Sequence, residues 1–157
     1  MGRLRKFWSL TRREKEFFCE AGILLLLSNL CVRTIAFKHI DNFLRSRWNN
    51  GIQRACNQAD DIRLAKLSLS RMARLLPWKN LCLSRSIAAF VMLRRRGIPA
   101  VLVAGVKLSE NSTLVAHAWV QTGHGVIDGI PDNYGFTAVV RIGQEPLIAD
   151  LIGTPLD

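Results

Sequence analysis

Residues 82–121 read CLSRSIAAFVMLRRRGIPAVLVAGVKLSENSTLVAHAWVQ, and a change of period inside this stretch decides the fold. From Cys82 to about Arg96 the apolar residues recur at helical spacing, and Gly97 and Pro99 stop the helix. Arginines 94–96 fall in its last turn, where cations are favoured by the helix dipole. After Pro99 the pattern turns extended. Ala100–Lys107 and Leu114–Gln121 are short, apolar and rich in β-branched residues, as strands are. Gly123-His124-Gly125 supplies a turn, Val126-Ile127-Asp128 resumes a strand, and Phe136–Ile142 is suited to a further one. Helices followed by an antiparallel sheet make an α+β fold.

Upstream, a helix is expected from about Asp60 or Asp61, with Ile62, Ala65, Leu69, Met72 and Leu76 at helical spacing and Pro77 ending it. Asn49-Asn50-Gly51 punctuates the chain before it. Earlier still, Thr11-Arg12-Arg13-Glu14 fits a capping box, in which hydroxyl and carboxylate satisfy free backbone N–H groups reciprocally. The apolar run Ala21–Val32 is too short for a span, which needs roughly 20 residues. From Phe17 to Ile35 apolar residues cover nearly all sides, so this helix is either central to the fold or docked on a partner. Arg3, Arg5, Lys6, Arg12 and Arg13 flank Phe7 and Trp8 in the manner of membrane-surface segments, so membrane-surface contact is a further possibility.

The 157 residues, 49% of them hydrophobic, suffice for one domain with a real core. A single domain over 1–157 is expected, with a basic, apolar helical region at 1–58 and a core at 59–157. The charge is divided unevenly: residues 1–99 sum to +14 and residues 100–157 to −4, giving the net +10. Such a balance attracts nucleic acid, anionic lipid or acidic peptide. A nucleic-acid binder is disfavoured, because the basic residues are spread over several helices with no aromatic stripe between them. The four cysteines form no C-x-x-C pair and the three histidines no zinc signature beside them, so no metal or cofactor is expected. No signal-peptide pattern is present, and reduced thiols in a cytoplasmic protein are expected. Cys19, Cys31 and Cys56 read as buried small hydrophobes.

Cys82 differs by position. At a helix start, unpaired N–H groups and the positive end of the dipole favour a thiolate. Ser86, Ala89 and Leu93 share its face, small enough near Cys82 for another element to approach. His117 lies in an otherwise apolar strand, where its ring nitrogens need partners. If Thr122 pairs with Gly125 and the register is uniform, His117 faces Ile130, and Asp128 and Asp132 are both diagonal to it on one face. A register one residue away removes Asp128 from that face.

Cysteine at a helix start, histidine on a strand and aspartate on the next strand is the order of the papain/transglutaminase-like thiol enzymes. Leu76-Pro77-Trp78, Cys82-Leu83-Ser84-Arg85-Ser86, LRRRGIPAVLVAG at 93–105 and AHAWV at 116–120 resemble more narrowly the transglutaminase-like leader peptidase of lasso-peptide biosynthesis. The likeness is to the form made separately from its leader-binding domain, and it runs over roughly Leu75–Tyr134. It implies a papain/transglutaminase-like core at 59–157, with Cys82 as nucleophile, His117 as base and Asp128, rather than Asp132, as third member. The implied activity is removal of the leader peptide from a lasso-peptide precursor, with a separate leader-binding recognition protein and a lasso cyclase as partners. Acyl transfer to an amine, or a non-catalytic scaffold of the maturation complex, are the competing readings. The Cys82 N–H is an oxyanion donor; Asn80 or Trp78 is a candidate second donor. Trp119 either shields the His–Asp bond or packs the core. For the Phe17–Ile35 helix the implied role is docking of a partner, tested by a charge at Leu25 or Leu27.

Overall fold

The computed structural model describes residues 10–48, 58–78, 82–109, 111–128 and 135–143. Among these residues four helices precede four strands: α1 (Arg12–Thr34), α2 (Phe37–Trp48), α3 (Gln58–Ala73), α4 (Cys82–Arg94), β1 (Val101–Leu108), β2 (Leu114–Thr122), β3 (Gly125–Asp128) and β4 (Thr137–Ile142). The sheet is antiparallel throughout, in the order β3-β2-β1-β4. This is the expected α+β architecture. The capping box is present in both halves: Glu14 N–H donates to the Thr11 hydroxyl at 3.3 Å, and Thr11 N–H donates to the Glu14 carboxylate at 2.9 Å. The Thr11 backbone, then its hydroxyl, hold the Glu14 carboxyl below the usual range. At the far end of α4, Gly97 adopts φ 70°, and Ile98 N–H reaches Leu93 O at 3.0 Å while Gly97 N–H reaches Arg94 O at 3.1 Å. That is a Schellman cap, and it turns the chain directly into β1.

The apolar helix ends at Ile35 as expected, but the separate helix that follows was not singled out in the sequence. Ile35 goes extended and donates its N–H to Cys31 O at 2.8 Å, so the apolar run ends there and α2 begins two residues later. Neither glycine nor proline marks the spot. Arg45 of α2 donates to the carbonyl of Arg141 in β4 at 2.8 Å, which fixes the new helix against the sheet.

Helix α4 is the axle of the fold. Ser84 and every residue from Ser86 to Arg94 are buried. Its apolar side chains join Phe17, Ala21 and Leu25 of α1, Ile62, Ala65 and Leu69 of α3, and Leu102, Val120 and Ile142 of the sheet in one cluster. Side chains alternate along a strand, so the residues between these point to the other face of the sheet. There Val101, Val103 and Trp119 form a second, smaller cluster with Val126 and Phe136.

The α1 helix is central on one side only. It is long and apolar enough to cross a membrane by length and composition, yet Phe17, Ala21 and Leu25 lie in the core. Its other side exposes Ile23, Leu26, Leu27 and Leu30. Leu25 and Leu27 are therefore not equivalent sites, as the docking test assumed: Leu25 is core and Leu27 is surface. Cys19 is exposed on α1 and Cys31 is half-buried, so neither is the fully buried hydrophobe expected; Cys56 lies outside the described residues.

Candidate active site

Cys82 is the first residue of α4, half-buried and with a free thiol. The first N–H groups of a helix have no partner within it, so the oxyanion of a bound carbonyl is favoured at this end. One turn on, Ser86 and Ala89 are completely buried, which lets the start of the helix sit tightly against its neighbours. The Ser86 hydroxyl has no hydrogen-bond partner among the described residues. Asn80 lies outside the described residues; Trp78 is half-buried.

His117 stands on β2 opposite Gly105 of β1. Its ring stacks on Trp119, centroids 6.3 Å apart and planes 19° from parallel, and tilts against Phe136 at 5.6 Å and 45°. Lys107 places its ammonium 4.7 Å from the Phe136 centroid. Glycine is required at 105, because a Cβ there would come within 2.9 Å of both Trp119 Cη2 and the Thr137 carbonyl oxygen. The Trp119 ring thus folds over the His117–Gly105 pair, and Trp119 both covers the histidine and packs a core. The His117 Nε2 and Trp119 Nε1 atoms are buried with no hydrogen-bond partner among the described residues. A buried ring nitrogen left unpaired costs about 1–3 kcal/mol, so this imidazole is held ready by packing rather than by hydrogen bonding.

The structure does not join Cys82 to His117. No hydrogen bond links them among the described residues, and His117 shares the face of Trp119, whereas α4 covers the face of Leu102 and Val120. The hairpin register is a correction. Thr122 pairs with Gly125 and Gln121 with Val126, as assumed, but a bulge follows and Val120 pairs with Asp128. The extra residue, Ile127, moves the register by one, so the diagonal placement of Asp128 beside His117 no longer follows from strand pairing. The Asp128 side chain, Ile130 and Asp132 lie outside the described residues. Phe136 and Lys107 were missed by sequence reasoning. Lys107 had a signal, two positions from Gly105 on the same face; Phe136 reaches His117 only through the pairing of β4 with β1.

Among the described residues no group of three His, Cys, Asp or Glu side chains comes together to hold a metal ion. No curated protein and no solved structure matches the chain. The model of one family does, described as the transglutaminase-like superfamily, and its match runs from residue 24 in α1 to residue 141 in β4. That span includes Cys82, His117 and Asp128 together with the later part of α1 and the whole of α2, α3 and α4, and a superfamily of cysteine proteases and acyltransferases accords with a thiol at a helix N-terminus. The chain belongs to the transglutaminase-like superfamily.

Proposed function

We propose that the protein is a cysteine peptidase that removes the leader peptide from a ribosomally made lasso-peptide precursor. The observation that carries the chemistry is Cys82 at the N-terminus of the central helix of a transglutaminase-like core. The choice of substrate rests on the resemblance of 76–78, 82–86, 93–105 and 116–120 to the leader peptidases.

In this reading the Cys82 thiolate attacks the carbonyl carbon of the last leader residue, and the Cys82 N–H receives the oxyanion. Protonated His117 gives its proton to the leaving nitrogen, which departs as the amino terminus of the core peptide and leaves a thioester on Cys82. His117 then takes a proton from water, hydroxide attacks the thioester, and the leader leaves as a carboxylate with the thiolate restored. One water is consumed and no redox change occurs. Asp128 orients the imidazole. His117 lies on the sheet face away from α4, so meeting Cys82 takes a shift of β2 against α4 on substrate binding as well as loss of the stack on Trp119 and Phe136. A separate leader-binding protein presents the leader, a cyclase takes the released core peptide, and the free thiol suits the cytoplasm.

The test is cleavage of the cognate precursor by purified protein, with and without the leader-binding partner, read by intact mass. One cut at the leader–core junction, with a mass gain of one water over the two fragments and loss of the cut in Cys82→Ala, is expected. An amine adduct on the acyl fragment would identify acyl transfer instead. No product from folded protein with a titratable Cys82 would identify a scaffold.

A further inference from the structure

Helix α1 presents two apolar faces and only one has a partner within the chain. Phe17, Ala21 and Leu25 enter the core, while Ile23, Leu26, Leu27 and Leu30 stand between 48% and 58% exposed. Steps of three, one and three place these four on one stripe of the helix, about 10 Å long at 1.5 Å per residue. An exposed stripe of this kind marks a surface for another molecule, since a helix facing water alone is polar there.

We propose that this stripe docks the protein on an anionic lipid surface, with α1 lying in the plane of the interface. Crossing the bilayer is incompatible with the other side of the same helix. Glu20 pairs there with Arg95, at 3.2 Å, and with Arg96, and Phe17 and Leu25 are packed against α3 and α4. The ends of the stripe carry cations. Arg12, whose side chain is 95% exposed, pairs with exposed Glu16 at 3.3 Å, and Arg33 and Lys38 are exposed at the other end. The +14 of residues 1–99 gives the same part of the chain a long-range attraction for anionic headgroups. The stripe itself is wholly aliphatic. Protein interfaces concentrate their binding energy in Trp, Tyr and Arg anchors, with Leu under-represented, whereas an acyl boundary accepts featureless aliphatic side chains rimmed by basic ones.

The experiment is co-sedimentation of the full chain with phosphatidylcholine vesicles containing or lacking phosphatidylglycerol, beside analytical ultracentrifugation of the free protein. Binding only to the anionic vesicles, weakening as salt screens it, is expected. The Leu27→Glu/Leu30→Glu variant should bind about tenfold or more weakly with an unchanged melting curve, and Leu27→Ser should show part of the loss. Val139→Glu, at an exposed site on β4, should bind as the parent does. Absence of binding to anionic vesicles overturns the proposal, as does equal loss in Val139→Glu. So does a dimer that the Leu27→Glu/Leu30→Glu change dissolves while vesicle binding persists, which would assign the stripe to a second copy of the chain.

Discussion

Arginines 94, 95 and 96 look interchangeable in the sequence, as three cations at one helix end, yet each has its own job in the fold. Arg94 is buried and donates to the carbonyl of Trp48, tying α4 to the end of α2, and burial pulls its pKa down. Arg95 meets Glu20 from a largely exposed position. Arg96 meets the same carboxylate, donates to Met92 O at 2.8 Å and lies 3.9 Å over the Phe17 ring. Glu20→Gln is expected to cost about 2 kcal/mol in urea unfolding, because Arg96 is left half-buried without its counter-charge. Arg95→Gln should cost less than about 1 kcal/mol, being a surface pair. Equal losses would contradict this assignment. At the candidate site the decisive small residue is Gly105. Gly105→Ala drives a methyl into the Trp119 ring and the Thr137 carbonyl, so a loss of about 1–3 kcal/mol with a changed tryptophan near-ultraviolet signal is expected. The residue scale is also where the sequence is least legible: the partners of Arg94–Arg96, and the contact of Phe136 with His117, are set by tertiary packing that no local spacing encodes.

At the scale of elements much more was legible, because local chemistry fixes the ends. The Thr11–Glu14 box, the Gly97 cap and the Thr122–Gly125 turn all stand where their residue types require. The misses share a cause. The new start of α2 at Phe37 and the bulge beside Gln121 each change the course of the chain within one or two residues without glycine or proline, so tertiary contacts decide them. The bulge matters most, since a one-residue shift of pairing changes which face a side chain takes, and with it the argument for Asp128. The capping box makes a pH prediction. Glu14 titrates below its unfolded value, so its contribution is complete above the ordinary glutamate pKa and is lost as pH falls through the lowered one. Glu14→Gln removes that advantage. Its melting temperature should lie below the parent's near neutral pH, with the gap closing on acidification; a gap that is constant down to low pH would show that the carboxylate is not involved.

At the scale of the whole molecule the question is whether the chain divides. Although the charge divides at residue 99 rather than 58, the sequence separates a basic helical part at 1–58 from a core at 59–157. Packing does not. Phe17, Ala21 and Leu25 of α1 and Ile40 and Leu44 of α2 belong to the same buried cluster as α3, α4 and the sheet, and the family match begins inside α1. The salt bridge of Arg13 with Asp61 at 2.6 Å and the bond of Arg45 to Arg141 O cross the same line. Removing 1–58 would uncover one side of α4, whose residues from Ser86 to Arg94 are all buried, and would leave Arg95 and Arg96 without Glu20. Losing five large or small apolar side chains from a shared core, each worth about 1–3 kcal/mol when fully buried, exceeds the margin by which a domain of this size is stable. A fragment of residues 59–157 is therefore expected to show no cooperative urea transition, while the full chain unfolds in one transition followed alike by far-ultraviolet dichroism and tryptophan fluorescence. A fragment that melts cooperatively and keeps a titratable Cys82 would show instead that α1 and α2 are an appendage, and their apolar surfaces would then have to be explained by a partner on both faces.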